Sequence, residues 1–284
     1  MATVCLSFDF DAISVWAGTL GLTSPQYISR GEYGANIATP RILDVLDREE
    51  LSTTWFIPGM DAENHPEVCK RIRDNGHEIG HHGYAHESPT ALSPEQERTV
   101  LERGFETLDS VLGVRPTGYR SPAFDLTEVS TQILSDMGFD YDSSLMANDF
   151  QMYRTRTGDV IHRDRASEFG RTLDLVEAPV SWTLDDFPFT EFVMSANFYS
   201  PASTDVEAMA QRWLDDLDFM MEQEPDGYFI QTFHPQAIGR GSRLRILERV
   251  IKRGKDHGVT FSTIQDAVNS WRRDNIYVAT GAAS

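Results

Sequence analysis

Short apolar runs alternate with helix-like segments along almost the whole chain of 284 residues. Two parallel strands can be joined only by a crossover connection, usually a helix, so this alternation is typical of a mostly parallel α/β sheet or barrel. No repeat or linker-like stretch interrupts it, which favours a single domain over residues 1–284 with a core at 3–272. The pattern predicts about seven strands, at residues 4–8, 53–57, 77–82, 117–120, 139–142, 173–180 and 228–233, with 259–262 closing the set.

Three segments lie outside this pattern. Residues 12–38 form a long, Gly-rich connection, and a loop of that length in a compact domain is usually functional, so we expect an active-site lid. Residues 150–172 are polar and Arg-rich, which indicates an irregular surface excursion. We expect the tail at 277–284 to be frayed.

The composition excludes several classes of partner. A net charge of −19 argues against binding to nucleic acid or to an anionic membrane surface, since both require a basic face. No apolar run approaches transmembrane length, and the first strand begins too early to leave room for a signal peptide. The cysteines, Cys5 and Cys69, do not suggest a disulfide framework. We therefore expect a cytoplasmic protein, which favours a small soluble substrate over an assembled extracellular polymer.

Polar side chains occur where the predicted strands end. In a parallel α/β barrel the working groups gather at the carboxyl ends of the strands. The residues at these positions are Asp9, Asp11, His82, His86, Arg120, Asp142, Ser143, Trp182, Asp185 and His234. Their arrival from separate segments predicts one shared site at this rim.

Asp9 and Asp11 lie one residue apart, so they point to the same face of an extended chain. A carboxylate and the imidazoles of His82 and His86 would make a three-ligand set for a divalent metal, with an open position for water. The second carboxylate could then act as a base. This combination predicts a metal-dependent hydrolase.

Each of these residues also has a structural explanation when taken alone. An aspartate that ends a strand is often a turn or cap residue, and a His-x₃-His pair can arise by chance. Gly83 stands where the zinc-protease motif requires Glu. His77 and His81 fall on the opposite strand face from His82, so we expect them to be structural.

Together the polar segments resemble the polysaccharide deacetylase family, carbohydrate esterase family 4. The family's five motifs occur in order across about residues 3–265, nearly the whole chain. The matching segments are Ser7-Phe8-Asp9-Phe10-Asp11, His82 to His86, Arg120-Ser121-Pro122, Trp182 with Asp185, and Thr232-Phe233-His234-Pro235. This resemblance implies a distorted (β/α)7 barrel that hydrolyses an amide bond.

The resemblance also implies roles for individual residues. Asp11, His82 and His86 would hold Zn²⁺ or another divalent metal, and Asp9 would be the catalytic base, held ionised by Arg120. His234 would protonate the departing nitrogen, and Asp185 would orient Arg120 or His234. Substrate contacts are expected from Trp182, Tyr33 and Trp16, and from the backbone near Pro122 and Ala123. The residues themselves do not exclude exchanged roles for Asp9 and Asp11.

Departures from the family pattern leave the substrate open. A residue separates the two aspartates, Thr232 replaces the usual Leu, and Ala123 replaces the aromatic that often follows Arg-x-Pro. These features resemble the branch of peptidoglycan-deacetylase-like, allantoinase-like and cyclic-imide-hydrolysing proteins, whose members tend to be homo-oligomers, often tetramers. The substrate is therefore expected to be either an N-acetylated glycan or a cyclic amide or imide. Two further alternatives are an allantoinase-like enzyme that needs no metal and a catalytically silent binding barrel.

Overall fold

A mostly parallel sheet curls through the centre of the computed structural model, which describes residues 1–195, 198–202 and 205–277. The strands in these ranges are β1 (Thr3–Asp9), β2 (Thr54–Ile57), β3 (Glu78–His81), β4 (Gly118–Tyr119), β5 (Tyr141–Asp142), β6 (Tyr153–Thr157), β7 (Arg171–Glu177), β8 (Val193–Met194), β9 (Tyr199–Ser200), β10 (Tyr228–Phe233) and β11 (Thr260–Phe261).

The sheet order confirms the predicted fold class. Strands β10, β1, β2, β3, β4, β5 and β7 lie side by side in that order, and each neighbouring pair is parallel. β11 pairs with the start of β1, and β8 and β9 form a separate hairpin. A bridge between Asp185 and Thr232 connects the chain beyond β7 to β10 across the remaining gap. The result is a distorted (β/α) barrel that is incompletely closed.

Helices surround this sheet. Those in the described ranges are α1 (Pro25–Tyr33), α2 (Thr39–Glu49), α3 (Gly59–Asn64), α4 (Pro66–Asp74), α5 (Pro94–Leu112), α6 (Ser130–Asp136), α7 (Phe187–Thr190), α8 (Val206–Gln223), α9 (Pro235–Ile238), α10 (Leu244–His257) and α11 (Ile264–Asp274). In the parts of the chain that the structure describes, none of them is long and apolar enough to span a bilayer.

The alternation of side chains along β1 determines which groups enter the barrel. Phe8 packs in the core, with its ring centroid 4.5 Å from that of Trp55 and 5.5 Å from that of Phe233. Successive side chains of a strand point to opposite faces, so Ser7 and Asp9 face the other way. Both accept hydrogen bonds from Nη1 of Arg120 inside the barrel, at 2.9 and 2.8 Å. The apolar packing of β1 therefore fixes the direction of Asp9.

The segment at 12–38 is largely helical, so the prediction of a long loop was wrong. Wide helical turns at Val15–Thr19 and Gly34–Ala38 accompany α1, and the second of them leads directly into α2. Three of its four glycines, Gly18, Gly31 and Gly34, permit close packing; a Cβ on Gly31, for example, would lie 2.3 Å from the carbonyl oxygen of Ala12. The high glycine content therefore reflects tight contacts between helix and backbone, which the sequence pattern does not distinguish from loop flexibility.

The segment at 150–172 is also more regular than predicted. It contains β6, which pairs antiparallel with β7 and carries a register shift between Arg154 and Arg156. Thr155, between these two arginines, is buried. The buried position of the strand is therefore occupied by a polar residue, and the strand contains no apolar run. An apolar pattern could not reveal such a strand.

The remaining expectations concern single residues. Cys5 and Cys69 are both buried and free. His81 packs against Phe105, and its Nε2 lies 3.0 Å from the carbonyl oxygen of Leu101, which agrees with a structural role. The predicted frayed tail lies outside the described residues from 278 onward, and the hydroxyl of Tyr277 donates to the carbonyl oxygen of Thr172 at 2.9 Å.

Candidate active site

The predicted metal and catalytic side chains meet at the carboxyl ends of the strands. Asp9 ends β1, Arg120 follows β4 and His234 follows β10, while Asp11 and His82 lie just beyond β1 and β3. All of the predicted metal and catalytic groups, which also include His86 and Asp185, are buried. The sheet topology therefore brings together residues that are far apart in sequence, as the strand-end pattern predicted.

Asp11, His82 and His86 form a compact donor set. Oδ1 of Asp11 lies 3.4 Å from Nε2 of His82 and 3.5 Å from Nε2 of His86. Donors bound tetrahedrally to one zinc ion at about 2.0–2.2 Å lie about 3.3–3.6 Å apart. Within the described ranges, both carboxylate oxygens of Asp11 and Nε2 of His82 are buried with no hydrogen-bond partner. A divalent cation would satisfy these atoms, so the residues fit a metal site.

The other ring nitrogen, Nδ1, of each of these two histidines also has a polar partner. Nδ1 of His82 lies 2.7 Å from the carbonyl oxygen of Arg120, which directs Nε2 toward Asp11. Nδ1 of His86 contacts Oγ1 of Thr19, from the first helical turn of the 12–38 segment. Partners of this kind orient the ring and set the tautomer that a metal ligand needs. Thr19 was not predicted, because its contact with His86 depends on packing between distant segments.

The charge states of these groups favour metal binding at neutral pH. Burial would raise the pKa of Asp11, but the imidazoles of His86, His82 and His234 outweigh it and lower that pKa to about 2. Burial lowers the pKa of His86 to about 4, against the opposing effect of Asp11. Asp11 is therefore a carboxylate and His86 a neutral imidazole, and both can donate an electron pair.

Arg120 holds Asp9 in one orientation. Its Nη1 donates to Oδ1 of Asp9 at 2.8 Å, and its Nη2 and Nε donate to the hydroxyl and the carbonyl oxygen of Ser143. The guanidinium carbon also lies 4.2 Å from the ring centroid of Phe56. Oδ2 of Asp9 remains turned toward the site, 3.9 Å from Nε2 of both His82 and His234. One oxygen of Asp9 is thus anchored and the other is available.

His234 is paired with two carboxyl groups, of which only one was predicted. Its Nδ1 lies 2.9 Å from Oδ1 of Asp186 and 3.4 Å from Oδ1 of Asp185. The same oxygen of Asp186 accepts the backbone N–H of His234 at 2.9 Å. Asp186 is therefore the main partner of the ring, and the adjacent acidic pair in the sequence was the signal that could have revealed it.

These carboxyl groups determine the protonation of His234. Burial would lower the pKa of His234, but Asp185, Asp186 and Asp11 raise it well above its usual value. Burial, opposed by His234, raises the pKa of Asp185 to about 7. The site thus holds an imidazolium at neutral pH, with Nε2 3.5 Å from Oδ2 of Asp11. This group can supply a proton to a leaving atom.

A cavity of about 320 Å³ opens beside these groups. Ala123 and Trp182 line it as predicted, and Ala123 adopts a positive φ of 55°. Its other walls are mostly apolar and include Val15, Leu20, Phe124, Phe187, Pro188 and Phe198. Thr19 and Ser200 add polar side chains to the aspartates and histidines of the lining.

Three predicted contact residues lie elsewhere. Trp16 is fully buried between Tyr27 and Phe187, because the segment that carries it folds as a packed helical turn. The hydroxyl of Tyr33 donates to the carbonyl oxygen of Gly239 at 3.0 Å, outside the cavity. Pro122 is buried next to the lining residue Ala123 and is not itself part of the lining. Trp16, Tyr33 and Pro122 therefore do not line this cavity, and a contact of these residues with substrate stays a prediction from the sequence.

Comparison with known proteins identifies the family. The family model described as polysaccharide deacetylase matches residues 31–141. A peptidoglycan deacetylase from Helicobacter pylori is 34% identical over 288 residues, which cover 96% of this chain and 97% of that protein. The chain belongs to the polysaccharide deacetylase family. It is thus a member of a family of hydrolases that cleave amide bonds.

Solved structures agree with this assignment. A protein from Mycobacterium smegmatis, described provisionally as a polysaccharide deacetylase, has a TM-score of 0.83 and 32% identity and covers 100% of this chain and 94% of its own. An allantoinase has a TM-score of 0.80 at 19% identity, with 98% of this chain and 92% of that chain covered. At that identity the allantoinase supports the fold alone.

Proposed function

We propose that this polysaccharide deacetylase family member is a metal-dependent hydrolase of non-peptide amide bonds. The observation that carries the proposal is the buried donor set of Asp11, His82 and His86, in which both carboxylate oxygens of Asp11 and Nε2 of His82 lack hydrogen-bond partners in the described structure. It lies directly beside Asp9, an acid anchored by Arg120. A divalent ion held by this set would polarise the amide carbonyl and lower the pKa of water toward about 7.

The protein's own side chains would perform the proton transfers. Asp9 accepts a proton from the attacking water through its free oxygen, while Arg120 holds the carboxylate in position through the other oxygen. His234, protonated through its contacts with Asp185 and Asp186, gives a proton to the departing nitrogen. An amine is a poor leaving group without that proton. A backbone N–H near Ala123, which lines the cavity, would stabilise the oxyanion.

For the substrate, the family assignment favours removal of an acetyl group from an N-acetylated sugar. The cavity supports a second candidate, the opening of a small cyclic amide or imide such as a succinimide, hydantoin or allantoin. Its walls combine Val15, Leu20, Phe124, Phe187 and Phe198, and its volume of about 320 Å³ is near the lower end of ligand pockets. Such a lining suits a compact ring better than a long hydrated chain.

An assay panel tests both candidates and the metal requirement. Acetate release would be measured with N-acetylglucosamine oligomers and peptidoglycan fragments, and ring opening with succinimide, hydantoin and allantoin, before and after metal removal and reconstitution. We expect turnover of one class, lost with the metal and restored by Zn²⁺ or another divalent ion. Full activity after complete metal removal would favour the metal-free alternative, and no turnover of any substrate would favour the silent binding barrel.

The contact between Thr19 and His86 gives a prediction about metal affinity. Thr19→Val removes the hydroxyl that holds Nδ1 of His86 but keeps the shape of the side chain. Loss of such an outer partner typically weakens metal binding about 10–100-fold. Competitive chelator titration of the variant measures this change. Thr172→Val, near the start of β7, is the matched control. Equal metal affinities of the Thr19 and Thr172 variants would contradict the role of Thr19.

Homo-oligomerisation, tetramer formation and a cytoplasmic location remain predictions from the sequence. Size-exclusion chromatography with light scattering and localisation of the tagged protein would measure them.

A further inference from the structure

Two buried acids, Asp142 and Glu177, lie side by side behind Arg120. Asp142 ends β5 and Glu177 ends β7, and the parallel register pairs them directly. Both residues are fully buried. Two adjacent carboxylates in such a place would repel each other strongly, so their arrangement requires an explanation.

The hydrogen bonds of the pair account for one oxygen of each residue. Oε1 of Glu177 accepts the backbone N–H groups of Ser144 and Leu145, each at 2.9 Å. Oδ1 of Asp142 accepts the hydroxyl of Ser144 at 2.7 Å. In the described ranges, Oδ2 of Asp142 and Oε2 of Glu177 receive no N–H or hydroxyl donor. A proton on one of the two neighbouring acids would let it donate to the other, and this would satisfy both of these oxygens.

The segment just after β5, which is hydrogen-bonded to this acid pair, is also hydrogen-bonded to Arg120. Ser143, between Asp142 and Ser144, accepts two hydrogen bonds from the guanidinium, at 2.9 Å through its hydroxyl and 3.1 Å through its carbonyl oxygen. The hydroxyl of Ser144 accepts the backbone N–H of Ser121, the residue after Arg120, at 2.8 Å. Movement of the segment after β5 would therefore move Arg120, and with it Asp9.

We propose that Asp142 and Glu177 share one proton and act as a positioning pair that keeps Arg120 against Asp9. The proposal rests on the proposed function only in the role given to Asp9. Neither acid lies on the cavity lining, so both act through Arg120 rather than on the substrate. The shared proton leaves one negative charge on the pair, which Arg120 partly offsets.

Electrostatics around the pair agree with this assignment. Burial and the neighbouring Asp142 raise the pKa of Glu177 well above its usual value, so the proton resides mainly on Glu177. Burial also raises the pKa of Asp142 to about 6, although Glu177 and Arg120 oppose the rise. Among the described residues, Tyr119 on β4 and Tyr153 on β6 also face the pair, and both are neutral near pH 7, since burial raises the pKa of each above its usual value.

The test compares Glu177→Gln with Glu177→Met. Glutamine can accept the two backbone N–H groups and donate to Asp142, as the protonated acid does, whereas methionine can do neither. We expect Glu177→Gln to keep kcat close to wild type. We expect Glu177→Met to lower kcat about 10²-fold, the size of effect that a misplaced catalytic group produces, with KM and metal content unchanged. Glu97→Gln, a buried glutamate of α5, is the control.

Proton sharing has a separate readout that does not depend on activity. An acid whose pKa is raised in the folded state stabilises the protein at low pH and loses that contribution as pH rises toward the folded-state pKa. The free energy of unfolding should therefore fall more steeply with pH above 5 in wild type and Glu97→Gln than in Glu177→Gln. Equal slopes for all three proteins would overturn the shared proton.

Crystal structures of the two Glu177 variants separate this inference from the proposed function. The contact of 2.8 Å between Nη1 of Arg120 and Oδ1 of Asp9 should persist in Glu177→Gln and be lost in Glu177→Met. An intact contact in Glu177→Met would overturn the positioning role, whatever the activity. A lost contact without any detectable wild-type turnover would support the positioning pair and contradict the proposed function instead.

Discussion

Asp9→Asn is expected to abolish most of the activity while the protein keeps its metal. Oδ1 of Asp9 is held by Arg120, and the other oxygen faces the site, so the variant preserves shape and removes only the basic carboxylate. Loss of a general base typically costs about 10²–10⁴-fold in rate. Measurement of kcat and of metal content on the same preparation checks both parts of the prediction.

The exposed ion-pair residue Asp44 provides the control, since Asp44→Asn removes a surface carboxylate from α2. This variant should match wild type in activity and metal content. If Asp9→Asn lost the metal while Asp11→Asn retained it, the roles of the two aspartates would be exchanged. Wild-type kcat in Asp9→Asn would remove Asp9 from the mechanism altogether.

His234→Asn is expected to lower kcat by a factor that depends on the leaving group. The imidazole is protonated because three carboxyl groups raise its pKa, and its Nε2 faces the cavity side of the site. For a basic amine leaving group we expect a loss of about 10²–10⁴-fold, because the nitrogen then departs without a proton. For an activated anilide or an ester, whose leaving group needs little protonation, the loss should be much smaller.

A comparison of the two substrate types distinguishes acid catalysis from a structural effect. A variant with a collapsed site would lose activity toward both types equally, and that result would contradict the role of His234. His162→Asn, in the Val160–Glu168 bridge region away from the site, is the control and should leave both rates unchanged. The wild-type rate for the amine substrate should also fall at high pH as His234 loses its proton.

Sequence patterns could predict the main groups of this site because strand geometry is local. The period of two along β1 puts Asp9 opposite to Phe8, and the apolar face of the strand then determines the direction of the carboxylate. In a parallel barrel the strand ends converge, which brings His82 and His234 to the same rim. These inferences need no knowledge of how distant segments pack.

The residues that were missed or misplaced depend on such packing. Thr19 reaches His86 only because the helical turn at Val15–Thr19 fits against the chain near Ala85, where a Cβ on Gly18 would lie 1.7 Å from a carbonyl oxygen. An aromatic residue such as Trp16 suits a core and a cavity wall equally well, and the sequence does not show which neighbours surround it. The alternation that reveals apolar strands also fails for β6, whose buried residue is a threonine.

Metal content by elemental mass spectrometry is the most direct test of the central claim, that Asp11, His82 and His86 hold one divalent ion. Wild type and Asp9→Asn, each reconstituted and dialysed, should carry about one ion per chain, and Asp11→Asn should carry almost none, because it loses the carboxylate that both imidazoles face. Equal metal content in wild type and Asp11→Asn, or no retained metal in wild type, would contradict the claim.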